Sequence, residues 1–181
     1  MNPTSTNPRV QDILRKIVPH LRKGYRILDI GSGSCEVAKI LRDAGYNIMP
    51  LDVVNKSFYP NVLPVLYDGK HLPFRDNSFD IVLLITVLHH IKQPVEILKE
   101  AVRVAPKIIV MEDLYRGIFQ KYMTFAMDSL LNSEFFGHPH TNMTKEQWEK
   151  VFQELNLKIT DVNIHDFWRF FTSGTFFLER S

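Results

Sequence analysis

The sequence contains a single cysteine, Cys35, among its 181 residues. An intrachain disulfide therefore cannot form, and the cysteine content gives no indication of an oxidising compartment. Long apolar runs are also missing, since the longest, around Ile81 to Leu88, is far shorter than a membrane-spanning helix requires. The first residues lack the basic and apolar regions of a secretory signal peptide. These absences predict a cytoplasmic protein without stable membrane insertion.

Neither sign of charge dominates, because 22 lysines and arginines face 20 acidic residues and the formal net charge is +2. A weak field without a basic stripe argues against a nucleic-acid partner. Repeats and low-complexity tracts are absent as well, and apolar residues make up an ordinary 45% of the chain. This length is enough to bury one core, so we predict a single domain over residues 1–181.

Strand and helix patterns alternate along the first two thirds of the chain, after an amphipathic helix that Asn7 and Pro8 begin. Pro64 places the third strand at a sheet edge, whereas the unbroken apolar run of the fourth predicts burial on both faces. The alternation predicts an α/β, doubly wound, mostly parallel Rossmann-like sheet of seven strands, with a ligand crevice at the strands' carboxyl ends. The five predicted parallel strands are Tyr25–Ile30, Asn47–Leu51, Val62–Tyr67, Asp80–Thr86 and Lys107–Met111.

The last third of the chain departs from this rhythm. Thr144 and Gln147 form a capping-box pattern that begins a helix. Two β-rich stretches follow, Leu157–Ile164 and Gly174–Glu179, and we predict an antiparallel pair because their short connection leaves no room for a crossover helix.

An aromatic-rich insert, at about residues 114–143, separates the two parts of the sequence. A narrow polar stripe at i+4 spacing (Arg116, Gln120, Thr124, Asp128) leaves more apolar surface than an exposed helix needs. The pattern fits a core element or a homodimer face, and equally a lid over an apolar acceptor pocket. Docking on a membrane surface is less favoured, since the stripe is not lysine-rich.

A glycine-rich loop, Gly31-Ser32-Gly33-Ser34, follows the first predicted strand and precedes a helix. Such a loop brings backbone N–H groups close to a ligand. Three acids accompany it, because Asp29 stands two residues before the loop, Asp52 ends the second strand and Asp68 follows the third. Since the carboxyl ends of parallel strands meet at one edge of a sheet, we predict that these acids face one crevice.

Two nucleotide cofactors fit the distance between the loop and Asp52, which is roughly that of a ribose-binding acid. The dinucleotide motif G-x-G-x-x-G/A requires a small residue where this sequence has Glu36, and a carboxylate there would repel a pyrophosphate. S-adenosylmethionine (SAM) carries no phosphate and offers a sulfonium, an ammonium group and a ribose diol, which suit acidic acceptors. The residues therefore favour SAM over a dinucleotide.

Three motifs give this sequence a family resemblance that covers roughly residues 24–113. Ile27–Gly33 resembles motif I of class I SAM-dependent methyltransferases. Asp68–Asp80 is similar to the block before strand four in their ubiquinone/menaquinone-type small-molecule branch, and Val87–Ile91 continues the likeness. The resemblance implies transfer of a methyl group from SAM to a small-molecule acceptor by direct displacement, with S-adenosylhomocysteine (SAH) as product.

The resemblance also assigns roles to residues. Asp29 and the glycines of the loop would hold the methionine moiety, Asp52 the ribose hydroxyls and Asp68 the adenine amino group. Cys35 stands where the family often has a third glycine, which leaves the cofactor's pose open. The predicted cofactor-binding residues are Asp29, Gly31, Ser32, Gly33, Asp52, Val53, Asp68, Gly69, Val87 and Leu88.

Methyl transfer is a direct displacement on an activated carbon, so alignment and exclusion of water matter most and a base is optional. The candidate catalytic residues are His89, His90 and Tyr115, with Glu112 and Asp113 near them, although the two histidines also suit a structural turn. His138 and His140 flank a proline in a pattern that is not diagnostic of a metal, and we predict no metal site.

Two other functions stay open at the level of sequence. A catalytically silent subunit could bind SAM or a protein partner through the aromatic insert. Methylation of protein or RNA has less support, because there is no basic patch, no Asn-Pro-Pro-Tyr-type motif and no appended recognition domain. We therefore predict a small-molecule acceptor, apolar or aromatic in character.

Overall fold

The computed structural model describes residues 4–115, 143–167 and 171–181. They contain a seven-stranded sheet with the order β3-β2-β1-β4-β5-β7-β6. The strands β1 to β5 are parallel, and β7 runs antiparallel to both of its neighbours, β5 and β6. The predicted fold class is thereby confirmed. The strands are β1 Arg26–Ile30, β2 Asn47–Asp52, β3 Val65–Leu66, β4 Ile81–Ile85, β5 Lys107–Leu114, β6 Leu157–Phe167 and β7 Phe171–Arg180.

Four α-helices lie among the described residues: α1 Pro8–Ile17, α2 Glu36–Asp43, α3 Pro94–Val104 and α4 Lys145–Glu154. Short 3-10 helices occupy Val18–His20 and Leu88–His90. The predicted caps are present, since the Asn7 side chain accepts the Arg9 N–H at 3.0 Å and Thr144 forms its capping box with Gln147. None of the described helices is long and apolar enough to cross a membrane.

Helices cover both faces of the sheet, and alternate residues of β4 show it. Val82 and Leu84 belong to the core shared with α3 and α4, whereas Ile81 and Leu83 belong to the core shared with α1 and α2. Side chains of a strand point alternately to opposite faces, so β4 needs apolar residues at every position. This explains the unbroken apolar run at the centre of the sheet.

Several strand boundaries differ from the prediction. The strand predicted over 62–67 is reduced to Val65–Leu66, although its edge position is confirmed. β5 extends past Met111 to Leu114 because β7 pairs with it along its whole length, and Glu112 therefore lies inside a strand. β6 and β7 are likewise longer than predicted. Most of the insert, residues 116–142, lies outside the described residues, so its role as a core element, homodimer face or lid stays a prediction.

Candidate functional site

A cavity of about 800 Å³ opens at the carboxyl ends of β1, β2 and β4. This volume lies within the usual range of small-molecule sites, roughly 300–1,000 Å³. Residues directly after the three strands form much of its wall, as expected at the switch point of a doubly wound sheet. Among the residues singled out from the sequence, the cavity is lined by Asp29, Gly31, Ser32, Gly33, Asp52, Val53, Gly69, Val87 and His90.

Asp52 joins the end of β2 to the glycine loop. Its Oδ2 accepts the Gly33 N–H at 2.8 Å, and its Oδ1 accepts the N–H groups of Val53 at 2.7 Å and Val54 at 3.3 Å. These bonds fix the orientation of the carboxylate at the cavity wall. Because each carboxylate oxygen has two lone pairs, Oδ2 keeps one for a ligand hydroxyl, and a second hydroxyl could bind Oδ1 in exchange for the longer bond from Val54.

Asp29 is the most deeply buried acid of the cavity, with 3% of its surface exposed. Burial, together with the nearby charge of Asp52, raises the pKa of the Asp29 carboxyl to about 7. Desolvation and a like charge both disfavour the ionised form. A cation bound beside Asp29 would relieve this penalty, so the site suits a positively charged group.

The glycine loop has a backbone that side chains would disturb. Gly31 has a φ of +73°, and a Cβ placed on it would lie 2.2 Å from Val87 Cγ2. Gly33 has a φ of +50° and faces open space. Cys35 also has a positive φ, +59°, which explains why glycine suits this position, and its side chain is buried in the core between the sheet and α2.

Asp68 is placed differently from the prediction. Its Oδ1 accepts the N–H groups of His71 and Lys70 at 2.8 Å each, and these donors lower the pKa of the Asp68 carboxyl. The carboxylate thus closes its own turn, and Asp68 is not among the residues lining the cavity. Its neighbour Tyr67 does line the cavity, where burial and the charges of Asp52 and Asp68 raise its pKa to about 12.

The three candidate catalytic residues lie in different surroundings. His90 lines the cavity, whereas His89 is buried and its Nδ1 lies 2.5 Å from Glu112 Oε2. The Tyr115 hydroxyl donates to Gln147 Oε1 at 3.4 Å, and Tyr115 is not part of the cavity wall. Leu88, predicted near the cofactor, is fully buried in the core on the α3 side. The structure therefore brings His90 alone of these three to the cavity.

The N-terminal segment forms a part of the wall that the sequence did not predict. Arg9 Nη2 donates to Thr86 Oγ1 at 3.2 Å, and Ser5 Oγ donates to Glu36 Oε1 at 2.8 Å. These partners lie 77 and 31 positions apart in the sequence, so no local pattern indicates them. Glu36 also lines the cavity, and the sequence analysis used it only to argue against a pyrophosphate. The other wall residues that the sequence did not predict are Asn7, Arg9, Val10, Ile13, Ser34, Val37, Val54, Lys56, Tyr67, Ile85, Thr86 and Ile91.

Metal binding has no candidate group within the described part of the chain. No cluster of three or more histidine, cysteine or acidic side chains there could hold an ion. His138 and His140 lie outside the described residues, so the absence of a metal stays a prediction.

Comparison with known proteins shows which proteins this chain resembles. Residues 28–107 match a family model described as a methyltransferase domain. A demethylmenaquinone methyltransferase of Renibacterium salmoninarum is 29% identical over 60% of this chain and 52% of its own length. The chain spans about half the length of the curated relatives it matches, since a second such enzyme, from Paenarthrobacter aurescens, is covered over 49%.

Solved structures agree with this fold. A SAM-dependent methyltransferase from Methanosarcina mazei has a TM-score of 0.71 at 16% identity, over 91% of this chain and 96% of that one. Magnesium protoporphyrin IX methyltransferase from Synechocystis, determined with bound SAH, has a TM-score of 0.68 at 17% identity, over 96% and 82% respectively. At these identities the likeness concerns the fold alone.

The chain thus resembles SAM-dependent methyltransferases, in a methyltransferase domain matched over residues 28–107 and in its fold. Its curated relatives include the demethylmenaquinone methyltransferases above and a ubiquinone/menaquinone biosynthesis C-methyltransferase of Rickettsia felis, which is 27% identical over 81% of this chain and 66% of its own length. The resemblance predicted from the sequence motifs is confirmed.

Proposed function

We propose that this chain transfers a methyl group from SAM to a small-molecule acceptor. The observation that carries the proposal is one cavity in which Asp29, Asp52 and the glycine loop meet. Glu36 also lines this cavity, at the first residue of α2, where its negative charge opposes a pyrophosphate. The wall thus combines acceptors for a cation and a diol with a group that disfavours phosphate.

The cofactor roles follow from these positions. Asp52, held by the Gly33 N–H, would accept both ribose hydroxyls, and Asp29 would lie beside the methionine ammonium group. Gly31 and Gly33 allow the loop to approach the ligand, since a side chain at Gly31 would collide with Val87. Val53 and Gly69 line the same wall, on the side suited to the nucleoside.

The remaining wall supplies an acceptor site. Val10, Ile13 and Ile91 are apolar, while Arg9 and His90 offer a cation and a titratable ring among them. Such a surface suits an apolar or aromatic molecule that carries one polar or anionic group. A demethylmenaquinone methyltransferase is among the relatives, and this supports an acceptor of that kind.

SAM supplies an electrophilic methyl carbon whose bond to sulfur breaks as a bond to the acceptor forms, leaving SAH. The residues of the chain would align the acceptor and exclude water, which are the main contributions to such a displacement. His90, which lines the cavity, would take the proton that an acceptor hydroxyl or acidic carbon releases. When the acceptor has no proton to lose, no base is needed.

Incubation of the protein with methyl-labelled SAM and a metabolite extract tests this function. We expect label in a small apolar molecule and accumulation of SAH. In a separate reaction, unlabelled SAH in excess should abolish the labelling. Binding of SAM without transfer to any fraction would instead support a silent SAM-binding subunit. Label in protein or RNA would overturn the choice of acceptor class.

The domain extent, cellular location, partners and insert complete the proposal. The single domain over residues 1–181, its cytoplasmic location and its lack of a nucleic-acid partner remain predictions from composition. The insert at about 114–143 remains the candidate lid or homodimer face.

A further inference from the structure

Glu112 is a buried carboxylate that lies behind the cavity wall without lining it. It belongs to β5, and 1% of its surface is exposed. Its Oε1 accepts the N–H groups of Val87 at 2.9 Å and Leu88 at 2.7 Å, while its Oε2 lies 2.5 Å from His89 Nδ1. A buried charge is costly unless hydrogen bonds compensate it, and apolar residues of similar volume usually fill such a site at least as well.

The segment that Glu112 holds has an unfavourable backbone. Thr86 has a φ of +50°, which is rare for a β-branched residue and persists only where the surroundings impose it. The Thr86 N–H donates to the Met111 carbonyl at 2.7 Å, directly before the two amides that Glu112 accepts. Residues 111 and 112 of β5 therefore hold three consecutive N–H groups of residues 86–88.

This segment carries two parts of the cavity wall. Val87 contacts the glycine loop, because a Cβ on Gly31 would lie 2.2 Å from Val87 Cγ2. His90 follows at the end of the same short 3-10 helix and lines the cavity, with its ring centroid 4.0 Å from that of His89. A shift of the segment would move both groups together.

We propose that Glu112 is a positioning residue of the cofactor site, which fixes residues 86–90 so that Val87 meets Gly31 and His90 faces the cavity. The inference rests on the proposed function, since it takes this wall to be the SAM site. Glu112 acts through its hydrogen bonds to Val87, Leu88 and His89, not by contact with the ligand.

The polarity of the contact between Glu112 and His89 gives a spectroscopic signature. Both amide N–H groups donate to Oε1, which leaves Oε2 as the partner of His89 Nδ1. With Glu112 ionised, Nδ1 carries the proton of this contact and donates it to Oε2. In a Glu112→Gln variant the carbonyl oxygen would keep the two amides. Its NH₂ group would then face Nδ1, and the proton of a neutral His89 would move to Nε2.

Binding of SAH, measured by calorimetry, tests the positioning role. We expect the dissociation constant to rise at least tenfold in Glu112→Ala and to stay within threefold of wild type in Glu112→Gln, which retains the acceptor for both amides. Glu100 provides the matched control, because it accepts the Leu72 N–H at 2.8 Å and pairs with Arg103 away from the cavity. The Glu100→Ala variant should stay within threefold of wild type.

Two results would overturn the proposal: a folded Glu112→Ala variant that binds SAH like wild type, or an equal loss of affinity in Glu100→Ala. If Glu112→Ala does not fold, nitrogen-15 spectra of the His89 ring in wild type and in Glu112→Gln show which ring nitrogen carries the proton and so test the contact with Glu112. An unprotonated Nδ1 in the wild-type protein, or the same tautomer in Glu112→Gln, would also contradict it. If wild type binds neither SAM nor SAH, the proposed function fails, while these spectra still test the contact.

Discussion

Gly31 and Val87 are in direct contact across the cavity wall, with no room for a Cβ between them. The built Cβ would approach Val87 Cγ2 to 2.2 Å, and the backbone at Gly31 has a φ of +73°. The end of β1 and the turn after β4 therefore meet at a place where only glycine fits.

We expect Gly31→Ala to lower the free energy of unfolding by about 2–4 kcal/mol, since strain of about 1–3 kcal/mol adds to the collision with Val87. Urea denaturation measures the change. Gly24→Ala serves as the control, because nothing lies within 4 Å of its added Cβ. Equal stability of the two variants would show that the contact is not tight.

Asp52 should be the residue on which cofactor affinity depends most. Two hydrogen bonds from ribose hydroxyls to a carboxylate are worth about 1.5–3 kcal/mol each, so Asp52→Ala should weaken SAH binding by about 100-fold or more. Asp43→Ala is the matched control, since Asp43 lies on α2 and pairs with Lys39. Calorimetry on both folded variants checks the difference, and unchanged binding in Asp52→Ala would remove Asp52 from the site.

The pKa of Asp29 makes stability depend on pH. The value rises from 3.8 to about 7 on folding, because of burial and the charge of Asp52, so the folded protein binds more protons over that range. The stability contributed by this group is complete below pH 3.8 and is lost as pH rises through 7, by at most about 4 kcal/mol.

Asp29→Asn stays neutral and removes this dependence. We therefore compare the free energy of unfolding of the variant with that of wild type at each pH. The difference should favour the variant more at pH 8 than at pH 5. Denaturation of both proteins at the two pH values cancels the contribution of other groups. If the difference in free energy of unfolding between variant and wild type is the same at both pH values, the pKa of the Asp29 carboxyl is not raised by folding.

His90 is the candidate base that the structure places in the cavity wall. General bases contribute roughly 10²–10⁴-fold, so we expect His90→Gln to slow transfer to a proton-bearing acceptor at least tenfold while SAH affinity stays within threefold. Single-turnover rates and calorimetry separate the two effects. A larger loss of rate in Tyr115→Phe than in His90→Gln would transfer the role to Tyr115.

Local patterns were sufficient to predict the sheet. The unbroken apolar run of β4 predicted a central strand covered on both faces, and Pro64 predicted an edge position for β3. The glycine loop and Asp52 were predicted to share one crevice because parallel strands end at the same edge, and the bond between Asp52 and Gly33 shows that they meet.

Contacts between distant segments were not predictable in this way. Arg9 reaches Thr86 from 77 positions away, and Glu112 became buried because β5 pairs with β7 beyond Met111. Asp68 is a different case, since its turn with Gly69 and Lys70 is a local feature that an aspartate-glycine pair indicates. The prediction of a ligand contact for Asp68 did not take this competing set of backbone donors into account.

We propose that the acids at the ends of β1 and β2 bind a cationic nucleoside that has no phosphate. Calorimetric titration of the wild-type protein with SAM, SAH and NADH under identical conditions tests it most directly. We expect SAM and SAH to bind with one site per chain and NADH to give no measurable heat of binding. Binding of NADH with higher affinity than SAM, or no binding of SAM, would contradict it.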